Sequence, residues 1–453
     1  MELSLKELLE AVNGEVIFMG KTEFNSICID TRKIEKNNVY LAIKGENFNG
    51  NKFVLEAFKK GASVAIIDEV LFDLNNRDNL ETVIKVQDTE KALLQLAHYY
   101  RKKLGLKIVG VTGSCGKTST KDLIAAFLSE KYKVFKTKGN FNNQIGLPIM
   151  ILELDSSIDV AVLEMGMSNL GEIDVLANCA RPDIAVITNI GLSHIENLKT
   201  QENILKAKSE IFNYFGEENS LIINGEDENL LKIQDKCFEI LKIGYNHEYD
   251  VYAFNIILEE DKTTFTVKDK EEEIIFTIPM AGKHNVLNSM LAIEVAKKLN
   301  VTFNEMKRGI KNLEATSMRL QVIKKNKITI INDCYNASPD SMKSSMDVLS
   351  TYKIGRKIAI LGTMNELGEE AANSHKEVGK YALNKVDLLI AIGKYNDCFK
   401  EGFAGENLIT FTTKEECINN LSTIIKENDV VLVKASRGMK FEDIVSSLEE
   451  VSI

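Results

Sequence analysis

The sequence has no Cys-x-x-Cys pair and no Cys/His cluster, although Cys28, Cys115, Cys179, Cys237, Cys334, Cys398 and Cys417 are scattered along it. That excludes structural zinc and a disulfide framework, and it reads as a chain kept in reduced cytoplasm. No long Lys/Arg block is present, and 56 basic against 66 acidic residues leave a net charge of −10. A dedicated nucleic-acid binder is therefore not expected, while a local basic pocket for phosphates remains open. No segment reaches the ~18 uninterrupted apolar residues of a membrane span. Charges interleave at helical spacing in the first fifteen residues, so neither membrane insertion nor a secretory leader is expected. There is no fixed-period repeat, no low-complexity linker, and no coiled coil that would demand assembly. A cytoplasmic monomer with a small-molecule partner is the expectation.

What is present is ordinary globular material, 44% hydrophobic and 27% charged over 453 residues. At ~150 residues per domain this allows about three domains. Residues 1–95 carry a short helix at 5–12, strand-like runs at 26–30, 39–43 and 62–67, and a helix from about 52, a small α/β unit. A helix over 89–104 leads onward, with Leu93, Leu96, Ala97 and Tyr100 at helical spacing. Residues 96–313 alternate apolar runs (107–111, 160–163, 184–188, 221–224) with helices, which predicts a mostly parallel sheet covered on both faces. Between 251 and 278 the texture changes to hairpins turning near 259–262 and 268–273, an antiparallel insert or edge. Residues 314–453 show further runs at 328–332, 357–361, 386–392, 408–412 and 430–433, a Rossmann-like second sheet. The whole reads as a three-domain α/β enzyme whose substrates meet between domains.

One loop carries specific chemistry. Gly113, Ser114, Cys115, Gly116, Lys117, Thr118 and Ser119 lie between the run 107–111 and a helix. Glycines there let successive backbone N–H groups curl around an anion, and the helix N-terminus adds its dipole. Lys117 would reach the β and γ phosphates of ATP, and the Thr118 hydroxyl would bind Mg²⁺. The spacing is shorter than G-x-x-x-x-G-K-[ST], since Val111 stands five before Gly116. A second Gly-Lys-Thr at 20–22 lacks the strand-to-helix context and is set aside.

Strand ends beyond the loop bring Glu164, Thr188, Asn189 and His194 to where a parallel sheet presents its ligands. Either they flank a divalent metal, or Glu164 is a solvated charge and His194 a surface side chain. Lys208 lies within the apolar stripe of Ile204, Leu205, Ile211 and Phe212. Two outcomes stay open for it: the stem snorkels its ammonium to water, or the amine is neutral and adds CO₂ to become a carbamate.

These segments resemble the Mur ligase family, over nearly the whole chain and in the family's order. The resemblance is carried by residues 112–118, 137–143, 163–167, 188–194, 207–208, 282–285, 333–337 and 434–437, with 366–370 and His375 marking one branch of the family. Residues 30–32 and 40–45 are similar to its UDP-recognition unit. The resemblance implies an ATP-dependent amide ligase of peptidoglycan precursor synthesis, with UDP-N-acetylmuramoyl-tripeptide as donor and D-alanyl-D-alanine as acceptor, through an acyl phosphate. Other family reactions, a single amino-acid adder or a folate polyglutamylating ligase, and a nucleotide-binding regulator without chemistry are the alternatives. It implies Lys117, His194 and Lys208 as catalytic; Thr118, Glu164, His194 and carbamylated Lys208 as ligands of two Mg²⁺ ions; and Asn285 and Asn288 toward adenine. Arg319 would reach the ATP phosphates and Asp333 the ribose. Thr31, Arg32, Lys44 and Gly45 would bind the UDP end, and Asn140 and Asn143 would position the donor. Tyr335, Asn336, Ser436 and Arg437 would meet the acceptor. Thr363 and Ala435 stand where the family often has an acidic residue and a glycine.

Overall fold

A computed structural model of the chain describes residues 1–45, 48–73, 81–234, 236–249, 251–314 and 316–451. The first unit is a five-stranded sheet in the order Glu15–Phe18, Thr82–Lys85, Val64–Ile67, Asn38–Leu41, Ser26–Cys28. Only Glu15–Phe18 runs antiparallel to its neighbour. The helix Leu5–Val12 starts on a reciprocal Ser4/Glu7 cap and stops at Asn13 in the left-handed conformation. The helix Thr89–Leu104 is capped by Asp88 and ended by Gly105 at φ +63°. It runs through residue 95 and ties the first unit to the second: the Tyr100 hydroxyl donates to Leu154 O at 2.8 Å, and Arg101 donates to Arg181 O at 2.8 Å.

The second unit is a nine-stranded sheet: Glu272–Ile278, Thr263–Asp269, Val251–Leu258, Glu239–Gly244, Ser220–Asn224, Ile184–Ile187, Lys107–Thr112, Val160–Glu164, Val134–Lys136. From Val134–Lys136 to Val251–Leu258 every pairing is parallel, and the last two are antiparallel. The hairpin segment thus extends the same sheet as its edge. Val109, Val111, Val160, Val162, Ile184 and Val186 pack one face against the helices Lys117–Leu128 and Lys283–Lys298. The opposite face joins a core reaching Leu93, Leu96 and Ile204.

The third unit is a six-stranded sheet, Gln321–Lys325, Ile328–Asn332, Val430–Lys434, Lys357–Leu361, Leu388–Ile392, Leu408–Phe411, parallel except for its first pairing. In the second sheet, chain order reverses direction around Lys107–Thr112, so the crevice beyond its carboxyl end is a topological switch point. The carboxyl ends of the strands in both sheets carry the residues of a shared cleft. Among the described residues no helix is long and apolar enough to cross a membrane.

Candidate active site

A cleft of about 800 Å³ opens between the second and third units. Its walls include Ser114, Cys115, Gly116, Lys117, Thr118, Ser119, Asn143, Glu164, His194, Asn285 and Asn288 from one side, and Arg319, Asp333, Tyr335 and Asn336 from the other. Residues chosen from separate stretches of sequence are therefore gathered in one place.

The phosphate loop is held by the tail of the neighbouring strand. Asn189 Oδ1 accepts from Cys115 N at 2.8 Å, the Thr188 hydroxyl donates to Cys115 O, and Ser114 Oγ accepts from Gly191 N at 2.9 Å. Thr188 and Asn189 thus brace the loop. Only glycine fits at 113 and 116: their φ values are +148° and +82°, and an added Cβ would lie 1.8 Å from Thr188 Oγ1 and 2.7 Å from Asn288 Oδ1 respectively. Gly116 caps the start of the helix Lys117–Leu128, so Lys117, Thr118 and Ser119 form its first turn. Lys117 Nζ folds back to donate to Gly113 O at 2.7 Å. Burial lowers its pKa, and the nearby Glu164 carboxylate opposes that shift.

Glu164 is the last residue of its strand and is buried. One carboxylate oxygen accepts from the Thr118 hydroxyl at 2.8 Å and the other from Asn142 Nδ2 at 2.9 Å. A hydroxyl and a carboxylate side by side at a phosphate loop form a hard oxygen donor pair. That set fits Mg²⁺, which takes one or two protein oxygens and keeps water and phosphate oxygens for the rest. Among the described residues no group of three or more His, Cys, Asp or Glu side chains forms a self-sufficient metal cage. His194 Nδ1 is 2.5 Å from Glu366 Oε2 of the third unit. The contact with His194 holds the Glu366 carboxyl below its usual range.

Lys208 is 1% exposed, which rules out the snorkelling alternative. Its pKa is lowered well below the usual lysine value, first by burial and then by the Lys117 charge. The neutral amine is the favoured state in such a place.

Asn285 and Asn288 bond each other, Asn288 Nδ2 donating to Asn285 Oδ1 at 3.0 Å. Thr120 of the loop helix donates to Asn288 at 3.3 Å, so the pair joins the two helices beneath the cleft. Arg319 stacks 4.3 Å from the centre of the Tyr335 ring, and its buried Nε finds no hydrogen-bond partner among the described residues. Asp333 is held by Lys434 at 2.5 Å and by the Ser345 hydroxyl at 2.6 Å. Ser436 and Arg437 line a neighbouring cavity of about 210 Å³ together with Tyr335 and Asn336. Thr363 and Ala435 are both buried.

Other residues lie apart. Asn140 is exposed and lines neither cavity, whereas Asn142, which sequence reasoning passed over between Asn140 and Asn143, is the one that holds Glu164. Asn143 accepts from Gly146 N at 2.8 Å while also facing the cleft. Thr31, Arg32, Lys44 and Gly45 are in the first unit. Arg32 makes a two-pronged contact with Asp30 at 2.9 and 2.8 Å, and Lys44 pairs with Glu69. Lys434, Ser338 and Glu366 were also missed as site residues. Of these, Lys434 and Glu366 lay in segments that carried the resemblance, 434–437 and 366–370, without being chosen as site residues.

The sequence matches the Mur ligase middle domain over residues 111–296, the Mur ligase glutamate ligase domain over 318–437, and the Mur ligase family catalytic domain over 23–101. The chain belongs to the Mur ligase family. A UDP-N-acetylmuramoyl-tripeptide–D-alanyl-D-alanine ligase of Bacillus subtilis (strain 168) is 40% identical, over 99% of this chain and 98% of its own. The crystal structure of MurF from Acinetobacter baumannii superposes with a TM-score of 0.91 at 30% identity, covering 99% of this chain and 98% of that one. MurF ligase from Thermotoga maritima, solved in complex with ADP, gives a TM-score of 0.83 at 28% identity, covering 94% and 97%. The Mur ligase fold of three α/β units is thus present from end to end.

Proposed function

We propose that this Mur ligase joins D-alanyl-D-alanine to the terminal carboxylate of UDP-N-acetylmuramoyl-tripeptide, using ATP and releasing ADP and phosphate. The observation that carries this reading is the cleft in which the phosphate loop, the Thr118/Glu164 pair, Arg319, Tyr335 and Asn336 converge, with Ser436 and Arg437 in the cavity beside it. The full-length likeness to ligases of that name supports the choice of substrates.

A carboxylate is a poor acyl donor because its oxide is a poor leaving group. Attack of a donor carboxylate oxygen on the γ-phosphorus gives an acyl phosphate and ADP. The acceptor amine then adds to the acyl carbon, and the tetrahedral intermediate expels phosphate as the amide forms. Loop N–H groups and Lys117 cradle the β and γ phosphates, Lys117 leaving Gly113 O to do so. Arg319 of the third unit, whose Nε has no partner among the described residues, would meet charge growing on the transferred phosphoryl group. Thr118 and Glu164 would hold Mg²⁺, with His194 and a carbamate on Lys208 toward a second ion. Mg²⁺ supplies charge neutralisation on the phosphoryl oxygens. Only as a carbamate does Lys208 become an oxygen ligand.

Asn285 and Asn288 are assigned to adenine, Asp333 to ribose, Ser436 and Arg437 to the acceptor carboxylate, and Thr31, Arg32, Lys44 and Gly45 to the UDP end. Residues 1–95, 96–313 and 314–453 then divide the work into donor, ATP and acceptor binding. One chain supplies the whole cleft, in keeping with a monomer, and a reaction drawing on ATP and a UDP-linked donor belongs in the cytoplasm.

Phosphate release with ATP and Mg²⁺ tests the reading, each co-substrate being supplied alone and then together. Release that requires both, with UDP-pentapeptide seen by mass, is the expected result. Release with neither, or only with single amino acids, contradicts it.

A further inference from the structure

The 210 Å³ cavity beside the cleft holds two opposite charges whose arrangement has no counterpart in the phosphate chemistry. Its cationic group is Arg437, anchored to Glu442 at 3.0 Å. Its anionic group is Glu366, and of the two it is Glu366 that touches His194, a residue of the larger cleft. Between them the lining offers small apolar surface at Ala337 and Leu367 and hydrogen-bonding groups at Asn336 and Ser436.

The segment bearing Glu366 is fixed from several sides. Met364 N donates to His375 Nε2 at 2.9 Å, and Asn365 N donates to Ser436 Oγ at 2.8 Å. The other nitrogen of His375, Nδ1, is 2.6 Å from Ala371 O, so a neutral ring donating from Nδ1 and accepting at Nε2 satisfies both contacts. His375 is fully buried, stacked on Tyr395 at 4.3 Å. Across the unit boundary, Glu196 N donates to Glu366 O at 3.1 Å. Glu366 itself sits at φ +63°, a conformation that a non-glycine residue holds only when its surroundings impose it, and such residues concentrate at functional sites.

With Arg437 already assigned to the acceptor carboxylate, we propose that Glu366 receives the acceptor's α-ammonium, so that the cavity selects a zwitterion built of two small residues and delivers its amine end toward the cleft. This rests on the ligase reading above. It makes Glu366 a specificity residue for the acceptor, and it makes His375 and Ser436 positioning residues for the segment that carries it. A zwitterion engages both charges at once, whereas an acceptor lacking either end engages only one of them.

The test compares D-alanyl-D-alanine as substrate with propionyl-D-alanine, the same skeleton without the amine, as competitive inhibitor, in wild type and Glu366→Gln. In wild type the inhibitor's Ki is expected to exceed the KM of D-alanyl-D-alanine by about tenfold or more. Glu366→Gln is expected to raise that KM about tenfold while leaving the Ki of propionyl-D-alanine and the KM values of ATP and UDP-tripeptide within about twofold. Glu366→Asp, which keeps the charge, is expected to recover part of the loss. An unchanged KM in Glu366→Gln overturns the assignment. So does a Ki rising in step with the KM, which would mean that Glu366 only shapes the segment or holds His194. A wild-type protein that forms no UDP-pentapeptide overturns the ligase reading itself, and this assignment with it.

Discussion

Lys117→Ala is expected to lower kcat for UDP-pentapeptide formation by about a thousandfold or more, roughly 4 kcal/mol of transition-state stabilisation. The size follows from where the ammonium sits. It is a half-buried cation whose resting partner is a neutral carbonyl, Gly113 O, so little holds it away from an incoming polyphosphate. In a cleft that excludes much of the solvent, a positive charge beside a transferring phosphoryl group acts at lower effective dielectric than in water. Steady-state product formation by mass, with circular dichroism to establish folding, checks it. A variant that folds and retains activity within about tenfold would remove Lys117 from the phosphoryl-transfer step.

Lys208→Ala is expected to lose activity on a similar scale, about a thousandfold, and to regain part of it with formate, acetate or propionate. An unpaired ammonium in this apolar setting is disfavoured, and burial together with the Lys117 charge pushes the group toward the neutral amine. A neutral amine adds CO₂ to give a carbamate and one released proton, converting a misplaced cation into a carboxylate-like ligand. Truncation to alanine removes the stem and leaves room for a small carboxylate to take over the charged end. Activity assays with a series of carboxylates of increasing size read this directly, smaller ions rescuing better than larger ones. Full activity in the untreated variant would eliminate the carbamate. A dead variant that no carboxylate rescues, while still folded and binding ATP, would assign Lys208 a packing role.

Much of this architecture is written locally in the chain. The helix Thr89–Leu104 matches its apolar spacing because one stripe is buried and the rest faces water. Lys107–Thr112, Val160–Glu164 and Ile184–Ile187 were readable as continuous apolar runs because a parallel sheet covered on both faces buries nearly every residue. Glu15–Phe18, Val134–Lys136, Glu239–Gly244 and Gln321–Lys325 were not read. They are short or partly exposed, and charged or mixed side chains blur their period.

The site divides in the same way. The phosphate loop announces itself because glycines, lysine and threonine must be consecutive to curl around an anion. Lys208 was visible as a charge on an apolar stripe. Contacts between stretches far apart in the chain leave no such trace. Cys115 meets Ser338, 223 residues away, at 3.0 Å, and Lys434 meets Asp333 across 101 residues. Glu366 against His194 belongs to the same class, because nothing near either residue in the sequence specifies the other. Asn142 was passed over for a different reason: three asparagines within four positions look alike until a backbone turns one of them toward Glu164.

The central claim is that the donor carboxylate is activated as an acyl phosphate in the cleft between the second and third units. It is tested most directly by supplying UDP-N-acetylmuramoyl-tripeptide labelled with ¹⁸O in its terminal carboxylate, together with ATP, Mg²⁺ and D-alanyl-D-alanine, and analysing the released phosphate by mass. The account predicts one ¹⁸O atom in each phosphate released, since the oxygen that attacks the γ-phosphorus leaves with it when the amide forms. Unlabelled phosphate accompanying UDP-pentapeptide would contradict it.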